Sequence, residues 1–239
     1  EAVVRVCVEE AQGRVPVIAG VSGNDTARAA QAAARAESWG ADALLVLAPY
    51  YNKPGQEGLY RHFKAVSAAI RLPVVVYNIP GRTGVNVEPG TLARLAEDCR
   101  NVVGVKEASG SVDQAGETLL SAPKGFSVLS GDDSLTLPMM ALGASGVVSV
   151  ASNLFPGPMA RLCRLASSGD FSGARKIHRA LSPLMKALFL ETNPIPVKAA
   201  ASALGLCEDE LRLPLTRLSG GNRKRLLAEL RRARRSVLL

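Results

Sequence analysis

A lysine closing an apolar run is the residue of this chain whose chemistry stands out. Lys106 follows Val102-Val103-Gly104-Val105, and an ammonium in such surroundings is costly to keep charged. Desolvation favours the neutral amine, which can attack a carbonyl to form a Schiff base. The same lysine could instead snorkel to solvent or pair with Glu107 or Asp132, and its strand context alone does not separate these readings. Tyr77 and the pair Tyr50-Tyr51 end the two preceding apolar runs. A phenol near an amine is a proton shuttle for carbinolamine formation and dehydration. Taken alone, Tyr77 reads sooner as a packed aromatic with its hydroxyl satisfied. Arg82, inside Gly81-Arg82-Thr83-Gly84, is either a rigid fork for a carboxylate or a surface arginine in a turn. Of two later runs, one ends in Ser130-Gly131-Asp132-Asp133 and the other carries Val147-Val148-Ser149.

Those residues need elements that bring them to one place. Six short β-branched runs cover 15–21, 41–49, 73–79, 102–108, 126–131 and 146–152, their starts separated by 26, 32, 29, 24 and 20 residues. That is the rhythm of successive βα units. Between the runs lie Ala-rich helical stretches at 25–38, 57–70 and 88–98. Asn24 or Asp25 opens the first and Pro89 starts the third. Strands apolar almost throughout suit a parallel sheet covered on both faces, either doubly wound or closed into a (β/α) barrel. No G-x-G-x-x-G or Walker pattern follows a strand, which weakens the nucleotide-binding doubly wound alternative. In a barrel, polar residues at the carboxyl ends of strands are the default catalytic set, as here. After Ser152 the pattern is helical only, over 156–168, 171–191, 196–204 and 221–235. The expected division is therefore 1–155, a barrel region with six visible strands, and 156–239, the last barrel helix with a C-terminal helical extension.

Composition excludes several classes. With 239 residues, 47% hydrophobic and 21% charged, the chain is too apolar for disorder and long enough for a sizeable core. No apolar run reaches the roughly 18 residues a membrane span needs, and the polar opening residues 1–12 do not read as a secretory signal. The formal charge of +8 is local: residues 223–235 hold seven Lys or Arg against one Glu. Leu226, Leu227 and Leu230 interrupt them at helical spacing, so an amphipathic helix with a solvated basic face is expected. Aromatics are too few to stack bases, so no nucleic-acid partner is expected; a basic-tail nucleic-acid binder is the remote alternative. Cys7, Cys99, Cys163 and Cys207 lack C-x-x-C spacing and read as reduced thiols of a cytoplasmic protein.

At this point a family resemblance is specific. Tyr50-Tyr51-Asn52-Lys53-Pro54, Tyr77-Asn78-Ile79-Pro80-Gly81-Arg82-Thr83-Gly84, Gly104-Val105-Lys106-Glu107-Ala108-Ser109-Gly110, Ser130-Gly131-Asp132-Asp133 and Asn193-Pro194-Ile195-Pro196-Val197-Lys198 occur in this order. The chain resembles, from Glu1 to its C-terminus, the dihydrodipicolinate synthase family of pyruvate-dependent class I aldolases, which are (β/α)8 TIM barrels. The resemblance implies a lyase that condenses pyruvate with aspartate semialdehyde in lysine and diaminopimelate biosynthesis. In that reading Lys106 forms the Schiff base, Tyr77 transfers protons, and Tyr51 reaches into a neighbouring subunit's site. Arg82 would grip the aspartate semialdehyde carboxylate. Val148 would contact pyruvate through its backbone, and Gly131 with Asp132 would form the substrate-side strand end. A homotetramer built as a dimer of dimers is implied, with no cofactor or metal. Sister lyases acting on keto-deoxy-sugar acids, sialic acid or hydroxy-oxoglutarate share the lysine and tyrosine, but generally lack the Arg82 counterpart. A guanidinium suits a short acidic acceptor, whereas a sugar wants more hydroxyl-binding groups.

Two departures qualify the resemblance. The family barrel has eight strands and six are visible, so the first two strands, on the order of 50–60 residues at the usual βα spacing, are expected to be missing, together with a Gly-Thr-Thr-Gly-Glu motif. An inactive truncated paralogue is the corresponding alternative. In lysine-inhibited members a glutamate on the helix after the third strand binds the lysine amine. The matching position here is Arg28, which implies weak feedback inhibition.

Overall fold

The computed structural model describes residues 1–237. These form two compact units, Glu1–Gly131 with Leu142–Ala144, and Asp132–Ala141 with the chain from Ser145 onward.

The first unit alternates helices with parallel strands: α1 (Ala2–Ala11), β1 (Ile18–Val21), α2 (Thr26–Ser38), β2 (Ala43–Leu47), α3 (Gln56–Ala68) and β3 (Val74–Asn78). A short α4 (Pro80–Thr83) precedes α5 (Pro89–Asp98), β4 (Val102–Glu107), α6 (Val112–Ser121) and β5 (Ser127–Ser130). Two of these helices, α2 and α6, start where a side chain satisfies an orphan amide. Asp25 accepts from the Arg28 N–H at 2.8 Å and Ser111 from the Gln114 N–H at 3.0 Å. Helix α2 buries Ala29, Ala33 and Ala36, a stripe at helical spacing. Val74, Val75 and Val76 of β3 are all buried, as expected of a strand covered on both faces.

Register does the positioning. Leu47 of β2 pairs with Tyr77 of β3, Tyr77 with Lys106 of β4, and Lys106 with Leu129 of β5. Between Val74 and Val75 the β3–β4 pairing slips by one residue, so that Val74 faces Val102 while Val75 faces Gly104. Without that bulge Tyr77 would stand opposite Val105, and the lysine would leave the sheet on the other face. Gly104 lies where β4 approaches β5 closely: a Cβ there would sit 2.5 Å from the Ser127 carbonyl oxygen.

The second unit holds β6 (Gly146–Val147), α7 (Thr136–Ala141), α8 (Pro156–Ser167), α9 (Phe171–Ala187), α10 (Ile195–Ala203) and α11 (Gly220–Val237). Its main core joins Leu181, Leu184 and Leu188 of the α9 region to Leu226, Leu230 and Ala233 of α11. The expected amphipathic basic helix is thus present, with Arg231, Arg232, Arg234 and Arg235 exposed. Among the described residues no helix is long and apolar enough to cross a membrane, and all four cysteines are free thiols.

Three expectations are corrected. The last run gives a strand of only two residues, not 146–152. Beyond it the Val150 and Ala151 amides donate to the Asp133 carboxylate at 3.0 and 2.8 Å, and the Ser152 amide donates to Ser149 Oγ at 2.8 Å. With those amides taken by side chains, the chain turns into a 3-10 helix at Ala151–Asn153. Helix α9 ends at Ala187 and does not reach 191. The Gly-Arg-Thr-Gly segment is not a simple turn: Arg82 lies in α4, closed by Gly84 at φ 78°.

Leu226 is fully buried whereas Lys224 faces solvent. A Leu226→Ala change is expected to cost about 2–5 kcal/mol in urea denaturation, and Lys224→Ala within about 0.5 kcal/mol. Equal losses would contradict an α11 held by its apolar stripe.

Candidate active site

The carboxyl ends of β2, β3, β4 and β5 are knitted together one residue past their ladders. The Ala48 N–H donates to the Tyr77 carbonyl at 3.0 Å, the Ala108 N–H to the Asn78 carbonyl at 2.9 Å, and the Gly131 N–H to the Glu107 carbonyl at 2.7 Å. Backbone bonds at this end hold side chains in place more firmly than a mobile loop could. Gly131 is required by that approach, since a Cβ there would overlap the Ala108 side chain.

Lys106 and Tyr77 project from neighbouring strands at matched register, and the Lys106 Nζ lies over the Tyr77 ring, 3.8 Å from its centroid. The lysine and the phenol therefore lie against each other on the same face of the sheet. Burial pushes the Tyr77 phenol above its ordinary range, and the positive charge of nearby Arg82 pulls it part of the way back. Proximity of Arg82 to Tyr77 is the feature a turn reading of the Gly-Arg-Thr-Gly segment did not require. Arg82 is presented by α4, whose Thr83 hydroxyl bonds to the Ile79 and Val85 carbonyls at 3.1 and 3.0 Å.

Tyr51 stands apart from the packed set. It is 86% exposed and adopts φ 75°, a left-handed conformation costly for a bulky residue. Its N–H donates to the Thr83 carbonyl at 3.3 Å, and the neighbouring Asn52 side chain donates to the Asn24 carbonyl at 3.0 Å. The loop carrying Tyr51 is therefore anchored beside α4 while its ring points outward.

In the second unit, Asp132 uses its carboxylate to cap the 3-10 helix at Asp133–Leu135, accepting from the Ser134 N–H at 2.8 Å and hydroxyl at 2.9 Å. Val148 is half-buried just past β6. The segment after it is fixed by Asp133, a buried carboxylate that sequence reasoning did not single out as an organiser. Burial pushes the Asp133 carboxyl up, and the hydrogen bonds it receives oppose the rise. A second residue overlooked in that role is Glu107, whose side chain alternates to the face opposite Lys106. It is buried and accepts from Asn78, Ser109 and Gln114. Its position next to Lys106 on an apolar strand was the available signal. Among the described residues no group of His, Cys, Asp and Glu is arranged to hold a metal ion.

A half-buried phenol against a strand-end lysine, with the charge of Arg82 felt at the phenol, is a geometry suited to imine chemistry on a carbonyl acid. Comparison with known proteins agrees. Residues 1–233 match the Dihydrodipicolinate synthetase family. A 4-hydroxy-tetrahydrodipicolinate synthase from Nitratidesulfovibrio vulgaris is 50% identical over 224 residues, covering 94% of this chain and 77% of that protein. The solved 4-hydroxy-tetrahydrodipicolinate synthase of Methylacidiphilum fumariolicum superposes with a TM-score of 0.97 at 47% identity, covering 98% of this chain and 78% of that one. A chloride-inhibited dihydrodipicolinate synthase from Acinetobacter baumannii, solved in complex with pyruvate, gives a TM-score of 0.94 at 40% identity, covering 97% and 79% respectively. The chain belongs to the dihydrodipicolinate synthetase family.

Proposed function

We propose that this protein condenses pyruvate with aspartate semialdehyde to form 4-hydroxy-tetrahydrodipicolinate, using Lys106 as the Schiff-base lysine. The single observation carrying the reading is the Lys106 ammonium nitrogen held 3.8 Å from the Tyr77 ring centroid at the ends of paired strands. The neutral amine attacks the pyruvate ketone, and the carbinolamine loses water as Tyr77 relays protons. The resulting imine loses a methyl proton to become an enamine, whose carbon attacks the aldehyde of the second substrate. Arg82 holds that substrate's carboxylate through paired hydrogen bonds. Attack by the new chain's own amino group on the imine carbon then frees Lys106 and closes the ring. Lysine itself supplies the electron sink, so the chemistry calls for no metal or organic cofactor. Val148 offers backbone to pyruvate, and Gly131 with Asp132 borders the substrate.

The wider arrangement in this proposal is an eight-stranded (β/α) barrel to which the chain contributes six strands, with residues 1–155 in the barrel region and 156–239 as last helix and extension. Its support is threefold. The chain spans 77% of the Nitratidesulfovibrio relative, β1 ends the sheet order, and Ile18 of β1 together with Val15 before it and Val3 and Val6 of α1 are exposed. An open edge next to bare aliphatic side chains is a surface that proteins ordinarily cover. Exposed Tyr51 on its anchored, strained loop supports a second copy of the chain completing the site, as in a cytoplasmic dimer of dimers.

Tyr77→Phe is expected to lower kcat by about 10²–10⁴-fold with a small change in KM for pyruvate. Since burial raises the phenol, its proton donation should fade only as pH passes the ordinary phenol range of about 10. A Tyr77→Phe enzyme with wild-type kcat would refute the relay. Arg82→Ala is expected to raise KM for aspartate semialdehyde about tenfold or more, the worth of a charge-assisted bond, while leaving pyruvate binding intact. A substrate panel that favours keto-deoxy-sugar acids over aspartate semialdehyde would overturn the assignment of acceptor.

The helix α2 position that would face a lysine effector is Arg28, exposed one turn beyond the Asp25 cap. Its positive charge repels a lysine ammonium, so turnover is expected to persist in millimolar lysine. Half-inhibition well below that concentration would contradict the reading.

A further inference from the structure

The β3–β4 pairing that places Tyr77 against Lys106 continues by one residue, to Asn78 against Glu107. Side chains alternate along a strand, so this second pair leaves the sheet on the opposite face. Both residues are buried, Asn78 at 0% and Glu107 at 3% exposure. The Glu107 carboxylate accepts from Asn78 Nδ2 at 3.0 Å, from Gln114 Nε2 at 2.8 Å and from the Ser109 N–H at 2.6 Å.

These three donors come from different segments. Asn78 ends β3, Ser109 lies in the loop after β4, and Gln114 sits in the first turn of α6. Asn86 closes the network: it accepts from Asn78 Nδ2 at 2.9 Å and donates to Gln114 Oε1 at 2.7 Å. Asn78 Oδ1 in turn accepts from the Val87 N–H at 2.9 Å, fixing the approach to α5. An ionised carboxylate only accepts, so it dictates which way every amide around it points. A buried network of this kind is specific when fully satisfied and costly when partly broken.

We propose that Glu107 is a positioning residue for the imine chemistry: it locks the ends of β3 and β4 in register so that the Tyr77 phenol and Lys106 amine keep their reactive spacing. The proposal rests on the Schiff-base reading of Lys106. Its effect is geometric, because Glu107 projects away from the face on which substrate would sit. A glutamine there keeps the shape but supplies an N–H₂ where all three partners donate, so one of them loses its acceptor. The strain is relieved by shifting the strand ends, and displacements of about 1 Å at a catalytic pair cost on the order of 10²-fold in rate.

The test is exchange of the pyruvate methyl protons with deuterated water, followed by NMR, since enamine formation releases those protons without any second substrate. Glu107→Gln is expected to slow exchange at saturating pyruvate by about tenfold or more, with the half-saturating pyruvate concentration within about twofold of wild type. Gln114→Ala, which removes one donor and keeps the carboxylate, is expected to fold normally and slow exchange by a smaller factor. Folded variants that both exchange at the wild-type rate would overturn the proposal, as would a defect confined to pyruvate affinity. Wild-type protein that catalyses no exchange would instead refute the parent reading of Lys106.

Discussion

The one-residue slip between β3 and β4 is the constraint on which the site depends. Parallel strands put register partners on the same face, so the parity of the pairing decides which face Lys106 takes relative to Tyr77. By skipping Val103 of β4 opposite the Val74–Val75 step, the sheet converts a Tyr77–Val105 pairing into Tyr77–Lys106. The same step sets Asn78 opposite Glu107, which gives the other face its polar lock. Catalytic pair and lock are consecutive on both strands, and neither could be re-registered without the other.

Two demands meet at these strand ends. The imine chemistry needs a lysine near a phenol in a partly dry setting, and burial is what raises Tyr77. The fold needs every buried polar group satisfied. Glu107 would be expensive inside the structure without partners. Neutral amides and one backbone N–H supply them, drawn from the end of β3, from α6 and from the loop after β4. Arg82 follows a similar logic on a smaller scale: a four-residue helix with internally bonded Thr83 holds a charged side chain near the phenol. In the second unit Asp133 performs the corresponding task, its carboxylate gathering the amides of the segment after Val148.

Much of this was legible in the sequence because apolar runs at βα spacing and polar run ends carry strong, local signals. Lys106, Tyr77 and Arg82 could be singled out as candidates by residue type and by their place at or just beyond the ends of apolar runs. The amphipathic pattern of α11 was also plain, since Leu226, Leu227 and Leu230 recur at helical spacing; Leu226 and Leu230 are buried and Leu227 partly so. What could not be read is long-range in origin. The bulge after Val74 depends on which residues of β3 and β4 meet, and nothing in either strand alone specifies it. Strand β6 looked longer than it is because Ser149 and Asp133 take the amides that a ladder would have used. Glu107 gave a misleading impression as a possible ion-pair partner of Lys106; alternation sends its side chain to the opposite face, where its partners are amides distant in sequence.

The register, the phenol and the polar lock all serve one covalent role, that of Lys106. Borohydride reduction of the protein in the presence of pyruvate, followed by peptide mass spectrometry, tests that role directly. A reduced pyruvate adduct is expected on the peptide containing Lys106, and none in Lys106→Ala. An unmodified Lys106, or an equal adduct in the Lys106→Ala protein, would contradict it.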